Sequence, residues 1–185
     1  MTWHIREAVR QIASGGVIAY PTETVYGLGC DPFNAHAVLH LIELKERNID
    51  KGLILVASHF EQLEPLLCPL TPATRKRVAR PGKLPVIWVL PYPPETPVWL
   101  RGKHDSLAVR VSNHPITAAL CNHWGGPLVS SSANIHGKRP ATSPLAVRRA
   151  FNGRLDYILH GKHGSTNRPS KICNGLTGEL LRNNT

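Results

Sequence analysis

The stretch VIAYPTETVYGLG, residues 17–29, joins a short apolar segment to a loop rich in hydroxyl groups and glycines. Residues 17–20 are typical of a buried strand, and the helical pattern of residues 3–14 ends just before them at Gly15-Gly16. The same order returns later as a helix over 113–124, Gly125-Gly126, a strand over 128–131 and the loop Ser130-Ser131-Ser132-Ala133-Asn134. Because ligands of α/β sheets collect beyond the carboxyl ends of strands, the two loops together suggest a binding site, although each loop by itself is more often a structural turn.

Helix and strand patterns alternate along the remainder of the chain. Thr71 and Ser143, each followed by proline, predict helix starts, and Ser58 with Glu61 predicts a capping box. The prolines around 86–90 favour an edge strand there. Further predicted elements are a helix opened by residues 31–34 and strands over 53–57, 107–111, 157–159, 171–173 and 179–181. This alternation predicts an α/β fold, and the closely spaced last strands favour a mixed parallel and antiparallel sheet flanked by helices.

Length and composition are those of one folded domain. The chain has 185 residues, of which 42% are hydrophobic and 18% charged, enough for a single core. Its longest apolar runs have strand dimensions, so we expect no membrane span, and no secretion signal is recognisable at the N-terminus. The four cysteines form no C-x-x-C pair, which argues against a zinc ribbon or a redox dithiol. We therefore expect a single domain over 1–185, with reduced thiols, in the cytoplasm.

The charge of the chain indicates an anionic partner. Lysine and arginine total 22 against 12 acidic residues, which gives a formal net charge of +10. Such a balance attracts polyanions by counterion release and long-range steering. It favours a nucleic acid and a small anionic substrate such as a nucleotide equally, so charge alone leaves both open.

A basic cluster follows the second predicted helix. Lys45, Arg47 and Lys51 could grip a triphosphate, although basic residues at a helix C-terminus also complement the helix dipole. No Walker loop occurs, and Pro32 stands where a Rossmann fingerprint would need its third glycine. No serine lies in a nucleophile elbow, so the sequence gives no sign of a serine hydrolase, and on spacing alone the helix-dipole interpretation of the basic cluster is slightly favoured.

Five ordered segments make the chain resemble the YrdC/TsaC family, the threonylcarbamoyl-AMP synthases. They are PTETVYGLG at 21–29, K-x-R at 45–47, DSLAVRV at 105–111, SSSAN at 130–134 and ELLR at 179–182. The resemblance runs from about residue 5 to residue 182. It implies a single YrdC-like domain with a twisted mixed sheet and a large basic concave cavity.

The resemblance also implies an activity. Members of the family combine L-threonine, bicarbonate or CO2 and ATP into L-threonylcarbamoyladenylate and pyrophosphate, with Mg2+ accompanying ATP. Partner proteins then transfer the threonylcarbamoyl group to tRNA. The enzyme would be a nucleotidyltransferase, and we expect a monomer that works with the tRNA-modifying threonylcarbamoyl-transferase complex or with tRNA.

Carried over by position, the resemblance assigns roles to individual residues. Catalysis falls to Lys45 and Arg47, and no protein metal site is implied. The threonine contacts are Thr24, Arg110, Ser130 and Ser170. The ATP contacts are Arg47, Lys51, Ser106, Ser132, Asn134 and Arg182. The glycines of the first loop are expected to serve the fold.

The chain departs from the family pattern at several positions. Asn48 follows the K-x-R segment where proline is usual, and residues 80–87 replace a Trp-Pro-Gly-Pro-x-Thr segment. Val56 stands where longer relatives have a histidine, and Ser170 begins a shortened Ser-Lys-Ile signature. These departures and the net charge keep an alternative open, a non-catalytic factor that binds double-stranded RNA or tRNA or assists ribosome maturation.

Overall fold

One mixed β-sheet organises the chain. The computed structural model describes residues 2–80, 85–164 and 170–182. In these ranges the strands are Ile18–Pro21 (β1), Tyr26–Gly29 (β2), Ile54–Ala57 (β3), Val86–Leu90 (β4), Leu107–Val111 (β5), Leu128–Ser132 (β6), Tyr157–Ile158 (β7), Lys171–Asn174 (β8) and Leu180–Arg182 (β9). Their order across the sheet is β7-β1-β2-β6-β3-β5-β4-β8-β9.

The sheet combines parallel and antiparallel pairing. β1 with β7, β3 with β5 and β4 with β8 are parallel, and the other neighbours are antiparallel. The prediction of a mixed sheet flanked by helices is therefore confirmed.

The described ranges contain six helices, half of which begin at a capping side chain. They are Thr2–Ala13 (α1), Ala35–Leu44 (α2), Pro72–Val78 (α3), Val98–Arg101 (α4), Pro115–Trp124 (α5) and Pro144–Phe151 (α6). The side chains of Asn34, Thr71 and Ser143 each accept a hydrogen bond from a backbone N–H of the first turn. Gly125 ends α5 in the left-handed conformation, as its Gly-Gly predicted.

Helices pack on both faces of the sheet. α1 and α5 cover one face, where Ile18 and Val56 pack with Leu120. The opposite face carries a larger apolar cluster that includes Leu55, Val109 and Val129. No described helix has the length and apolar character that crossing a membrane requires.

Two local predictions are wrong. Residues 26–29 were expected in a loop, yet they form β2 and pair antiparallel with β1 around the turn at 22–25. β4 is an interior strand between β5 and β8, because the flanking Pro85 and Pro91 lie outside its hydrogen-bonded residues.

The predicted capping box at Ser58 and Glu61 is also wrong. The Ser58 backbone N–H and hydroxyl both bond the side chain of Gln62, at 3.0 Å each, and two short 3-10 turns replace the expected helix. The short helix α4 had no counterpart among the predictions.

Candidate active site

One face of the sheet collects the polar residues that the sequence singled out. Ser132 pairs with Gly27, Ser130 with Ile54, and Ile54 with Ala108. Residues paired across strands, and alternate residues along a strand, share a face. We call this the site face; by this register it carries Gly27, Gly29, Ala108, Arg110, Ser130, Ser132 and Arg182.

The helices leave part of the site face open. α1 and α5 cover it through Ile18, Tyr20 and Val56. Across the sheet Ala108 is half-buried, while Ser132 and Arg182 are exposed. An open area of small and polar side chains therefore lies beside the part of the site face that α1 and α5 cover.

Lys45 joins the end of α2 to the loop after β6. Its residue is only 3% exposed, and its ammonium group donates hydrogen bonds to the backbone carbonyls of Ser132 and Asn134, the latter at 2.9 Å. In return His136 N–H donates to the Lys45 carbonyl at 2.8 Å. Burial, reinforced by the charge of Arg47, lowers the pKa of Lys45 to about 8. Two of the three N–H donors of Lys45 therefore bind the loop 130–134. This structural role of Lys45 was not predicted from the sequence.

Arg47 lies at the turn that follows α2. Its guanidinium donates to the Gly52 carbonyl at 2.9 Å, and its Nε is buried without a hydrogen-bond partner among the described residues. Burial lowers the pKa of Arg47, and the nearby positive charge of Arg182 lowers it further. The ends of α2 and β9 therefore bring two cations together, which an anion would stabilise.

The loop 130–134 is fixed by its own side chains. Ser132 Oγ donates to Asn134 Oδ1 at 2.6 Å, and the Asn134 amide donates to the carbonyls of Ile135 and Lys138 at 2.9 and 2.8 Å. Lys51 approaches the segment just after this loop, where its Nζ lies 3.0 Å from Nε2 of His136. The structure thus brings Lys45, Arg47, Lys51, Ser132, Asn134 and Arg182 to one region.

The first loop is a tight turn at the end of β1. The Thr22 N–H and hydroxyl donate to the Val25 carbonyl at 3.0 and 2.8 Å, and Gly164 N–H donates to the Thr22 carbonyl at 2.8 Å. Thr24 lies half-buried at the tip of this turn. The turn holds Thr24 at the strand end where a ligand is expected.

Arg110 makes a buried ion pair with Glu23 that the sequence analysis did not foresee. Nη1 of Arg110 lies 2.7 Å from Oε2 of Glu23, and Ser112 Oγ donates to Oε1 at 2.5 Å. Burial raises the pKa of Glu23, but the Arg110 charge and the Ser112 hydroxyl outweigh it and leave a net lowering. The carboxylate is therefore ionised beside Thr24. One indication in the sequence that Glu23 belongs to the site was its position within the stretch of residues 17–29.

The remaining predicted residues lie within a strand or directly before one. Ser106 is half-buried directly before β5, Ser170 is half-buried directly before β8, and Ser130 is buried within β6. Residues 81–84 of the divergent 80–87 segment lie outside the described ranges. Within 2–80, 85–164 and 170–182 no three His, Cys, Asp or Glu residues gather as metal ligands would.

The chain is similar to known proteins over nearly its whole length. The Sua5/YciO/YrdC family model, described as telomere recombination, matches residues 10–183. The threonylcarbamoyl-AMP synthase of Nitrosococcus oceani is 51% identical over 180 residues, 97% of either chain. That of Coxiella burnetii is 46% identical over 181 residues, 98% of this chain and 97% of the relative.

The fold matches a solved structure of the same family. P. abyssi Sua5 complexed with L-threonine superimposes with a TM-score of 0.85 at 34% identity, covering 94% of this chain. This chain spans 51% of that protein, about half its length. Motifs, fold and full-length relatives agree, and the chain belongs to the Sua5/YciO/YrdC family.

Proposed function

We propose that this chain is a threonylcarbamoyl-AMP synthase, an enzyme that makes L-threonylcarbamoyladenylate from L-threonine, bicarbonate and ATP. The observation that carries the proposal is the Lys45 bridge, which joins the K-x-R turn to the loop 130–134 on the site face. Relatives of this length that carry the synthase name support it.

The reaction is a nucleotidyl transfer. The amine of threonine and bicarbonate first give a carbamate and water. A carbamate oxygen then bonds to the α-phosphorus of ATP while the bond to pyrophosphate breaks. The protein need supply no covalent nucleophile, since positioning and charge neutralisation lower such a barrier.

We assign the nucleotide to the cationic end of the site face. Arg47, Lys51 and Arg182 would neutralise the phosphates, and the buried Nε of Arg47 adds a donor that a phosphate oxygen can satisfy. Ser106, Ser132 and Asn134 would orient the nucleotide by hydrogen bonds. Lys45 would hold the loop and direct its remaining N–H donor to a phosphate.

We assign threonine to the neighbouring end of the site face. Arg110 would bind the carboxylate and Thr24, Ser130 and Ser170 the polar atoms around it. Arginine suits this task because its planar fork matches a carboxylate.

Mg2+ would enter with ATP. Mg2+ commonly binds through one or two carboxylates together with substrate phosphates, so we expect the phosphates to hold it chiefly. Bound there, it would neutralise phosphate charge and assist departure of pyrophosphate.

The product would pass to the tRNA-modifying threonylcarbamoyl-transferase complex. This role places the protein in the cytoplasm, where ATP, threonine and tRNA meet. We propose that it acts there as a monomer and need not bind tRNA itself.

Pyrophosphate release tests the proposal against RNA binding. The purified chain should release pyrophosphate from Mg-ATP only when both threonine and bicarbonate are present, with an authentic synthase assayed in parallel. A chain that releases none, yet binds double-stranded RNA with a steep salt dependence and no response to threonine, would be the non-catalytic factor instead.

A further inference from the structure

The hairpin of β8 and β9 carries Arg182 to the nucleotide end of the site. In the described ranges β9 is the outermost strand of the sheet and pairs with β8 alone. The pairing shifts its register between Ile172 and Cys173, and Ile172 is the partner of Arg182. An irregularity of this kind disrupts the ladder and bends the strand locally. The strand pairing by itself therefore holds Arg182 loosely.

The charge of Arg182 acts against its position in the free protein. Arg182 lies near enough to Arg47 for its positive charge to lower the pKa of Arg47. Two cations repel each other when no phosphate lies between them. Another contact must therefore keep the hairpin in place before ATP arrives.

Arg77 of α3 supplies such a contact. Its Nη1 donates to the carbonyls of Gly175 and Leu176 at 3.0 and 2.6 Å, in the hairpin turn that joins β8 to β9 over residues 175–179. Within the described ranges no other hydrogen bond reaches residues 176–182 from outside the hairpin. Val78, the next residue of α3, is buried in the larger apolar cluster and fixes the helix to the core.

The hairpin turn is stiff enough to transmit this contact to β9. Oδ1 of Asn174 accepts hydrogen bonds from the N–H groups of Leu176 and Thr177 at 2.9 and 3.2 Å. The Gly178 N–H donates to the Asn174 carbonyl at 2.8 Å. Because β9 begins just after this bonded turn, a shift of the turn also moves Arg182.

We propose that Arg77 is a positioning residue for ATP binding, which holds the hairpin turn and thereby keeps Arg182 beside Arg47. The inference rests on the proposed function for the assignment of Arg182 to ATP. Arg77 itself touches no substrate. It gives a task to α3, whose basic residues lie outside the predicted site.

A double-mutant cycle tests the inference. Calorimetry measures the Kd of Mg-ATP for wild type, Arg77→Leu, Arg182→Gln and the double variant. Arg182→Gln should weaken ATP binding by roughly 10- to 100-fold, and Arg77→Leu by about 3- to 10-fold, since it displaces Arg182 without removing it. In the Arg182→Gln background, Arg77→Leu should change the Kd by less than about two-fold, because its effect passes through Arg182. The Kd of threonine should stay at the wild-type value in Arg77→Leu.

Arg75→Leu is the matched control. Arg75 is another exposed arginine of α3, and its guanidinium also makes two contacts, with Glu61 and Glu64 at 2.8 and 2.6 Å. Its replacement removes surface contacts from the same helix without touching the hairpin, and it should leave the Kd of ATP unchanged. Arg77 is exposed as well, so Arg77→Leu leaves the core untouched and should fold.

The outcomes separate this inference from the proposed function. A wild-type Kd for ATP in Arg77→Leu, with a loss in Arg182→Gln, overturns the inference alone. An equal effect of Arg77→Leu with and without Arg182 makes Arg77 a merely structural residue and also overturns it. A wild-type Kd in Arg182→Gln refutes the assignment of Arg182 to ATP and the inference with it. Wild type that follows the expected pattern but releases no pyrophosphate would refute the synthase and leave the positioning role standing.

Discussion

The ammonium group of Lys45 lies 2.9 Å from the backbone carbonyl oxygen of Asn134 and also bonds the carbonyl of Ser132. A basic residue to which the family resemblance assigns a catalytic role therefore holds the loop 130–134 in place. The K-x-R turn and the loop 130–134 act as one unit because this buried cation satisfies both carbonyls.

Replacing Lys45 by methionine should loosen the connection between the K-x-R turn and the loop 130–134. The change shortens the side chain by one atom and leaves two buried carbonyls without their donor, which costs about 1–3 kcal/mol each where water cannot replace it. We expect a lower unfolding temperature and a fall in kcat/KM for ATP of about 100-fold or more. Lys76→Met, at an exposed position of α3, is the matched control. Wild-type ATP kinetics in folded Lys45→Met would contradict the assigned role.

ATP binding should take up protons near pH 8 through Lys45. In the free protein burial lowers the pKa of this lysine to about 8, whereas the phosphates of ATP favour its charged form. Affinity for ATP should therefore weaken as the pH rises through that value. Calorimetry in buffers of different ionisation enthalpy measures the uptake, which should disappear in Lys45→Met. Equal uptake in the variant would assign the proton to another group.

Arg47→Ala should reduce turnover by about 100- to 1,000-fold, the loss expected when a preorganised charge on the reacting group is removed. The guanidinium also donates to the Gly52 carbonyl, so thermal unfolding must be recorded alongside the pyrophosphate assay. Arg149→Ala, on the exposed side of α6, should keep full activity. Unchanged turnover in Arg47→Ala would remove this residue from the site.

Two glycines of β2 should differ in their tolerance of alanine. A Cβ on Gly29 would lie 2.5 Å from the Val129 carbonyl oxygen and 2.7 Å from Cε1 of Tyr20, whereas at Gly27 the nearest atom is the Thr22 methyl at 3.2 Å. Overpacking at Gly29 should cost about 1–3 kcal/mol. Denaturant unfolding should show a clear loss for Gly29→Ala and a smaller one for Gly27→Ala. Equal losses would contradict this packing argument.

Local patterns predicted most of the fold but missed β2. Capping residues such as Asn34 and Thr71 and the Gly125 terminus act within a few residues, so the sequence displays them directly. Gly27 and Gly29 have low strand propensity, yet they pair with β1 and β6, and the ring of Tyr20 occupies the space that a side chain at Gly29 would need. That the glycines serve the fold is confirmed at Gly29.

The candidate site was predicted as a set of residues and not as a set of contacts. The five motifs located Lys45, Arg47 and Arg110, but their partners depend on tertiary pairing. Glu23 and Arg110 are 87 positions apart, and Lys45 and Asn134 are 89 apart. Contacts between residues so far apart in the chain produce no local sequence pattern from which they could be predicted.

Mass spectrometry of the product tests the central claim most directly. Wild-type protein incubated with Mg-ATP, L-threonine and isotope-labelled bicarbonate should form L-threonylcarbamoyladenylate that carries the label, and Arg47→Ala should form little. Absence of the adenylate from wild-type reactions, while an authentic synthase produces it under the same conditions, would contradict the account.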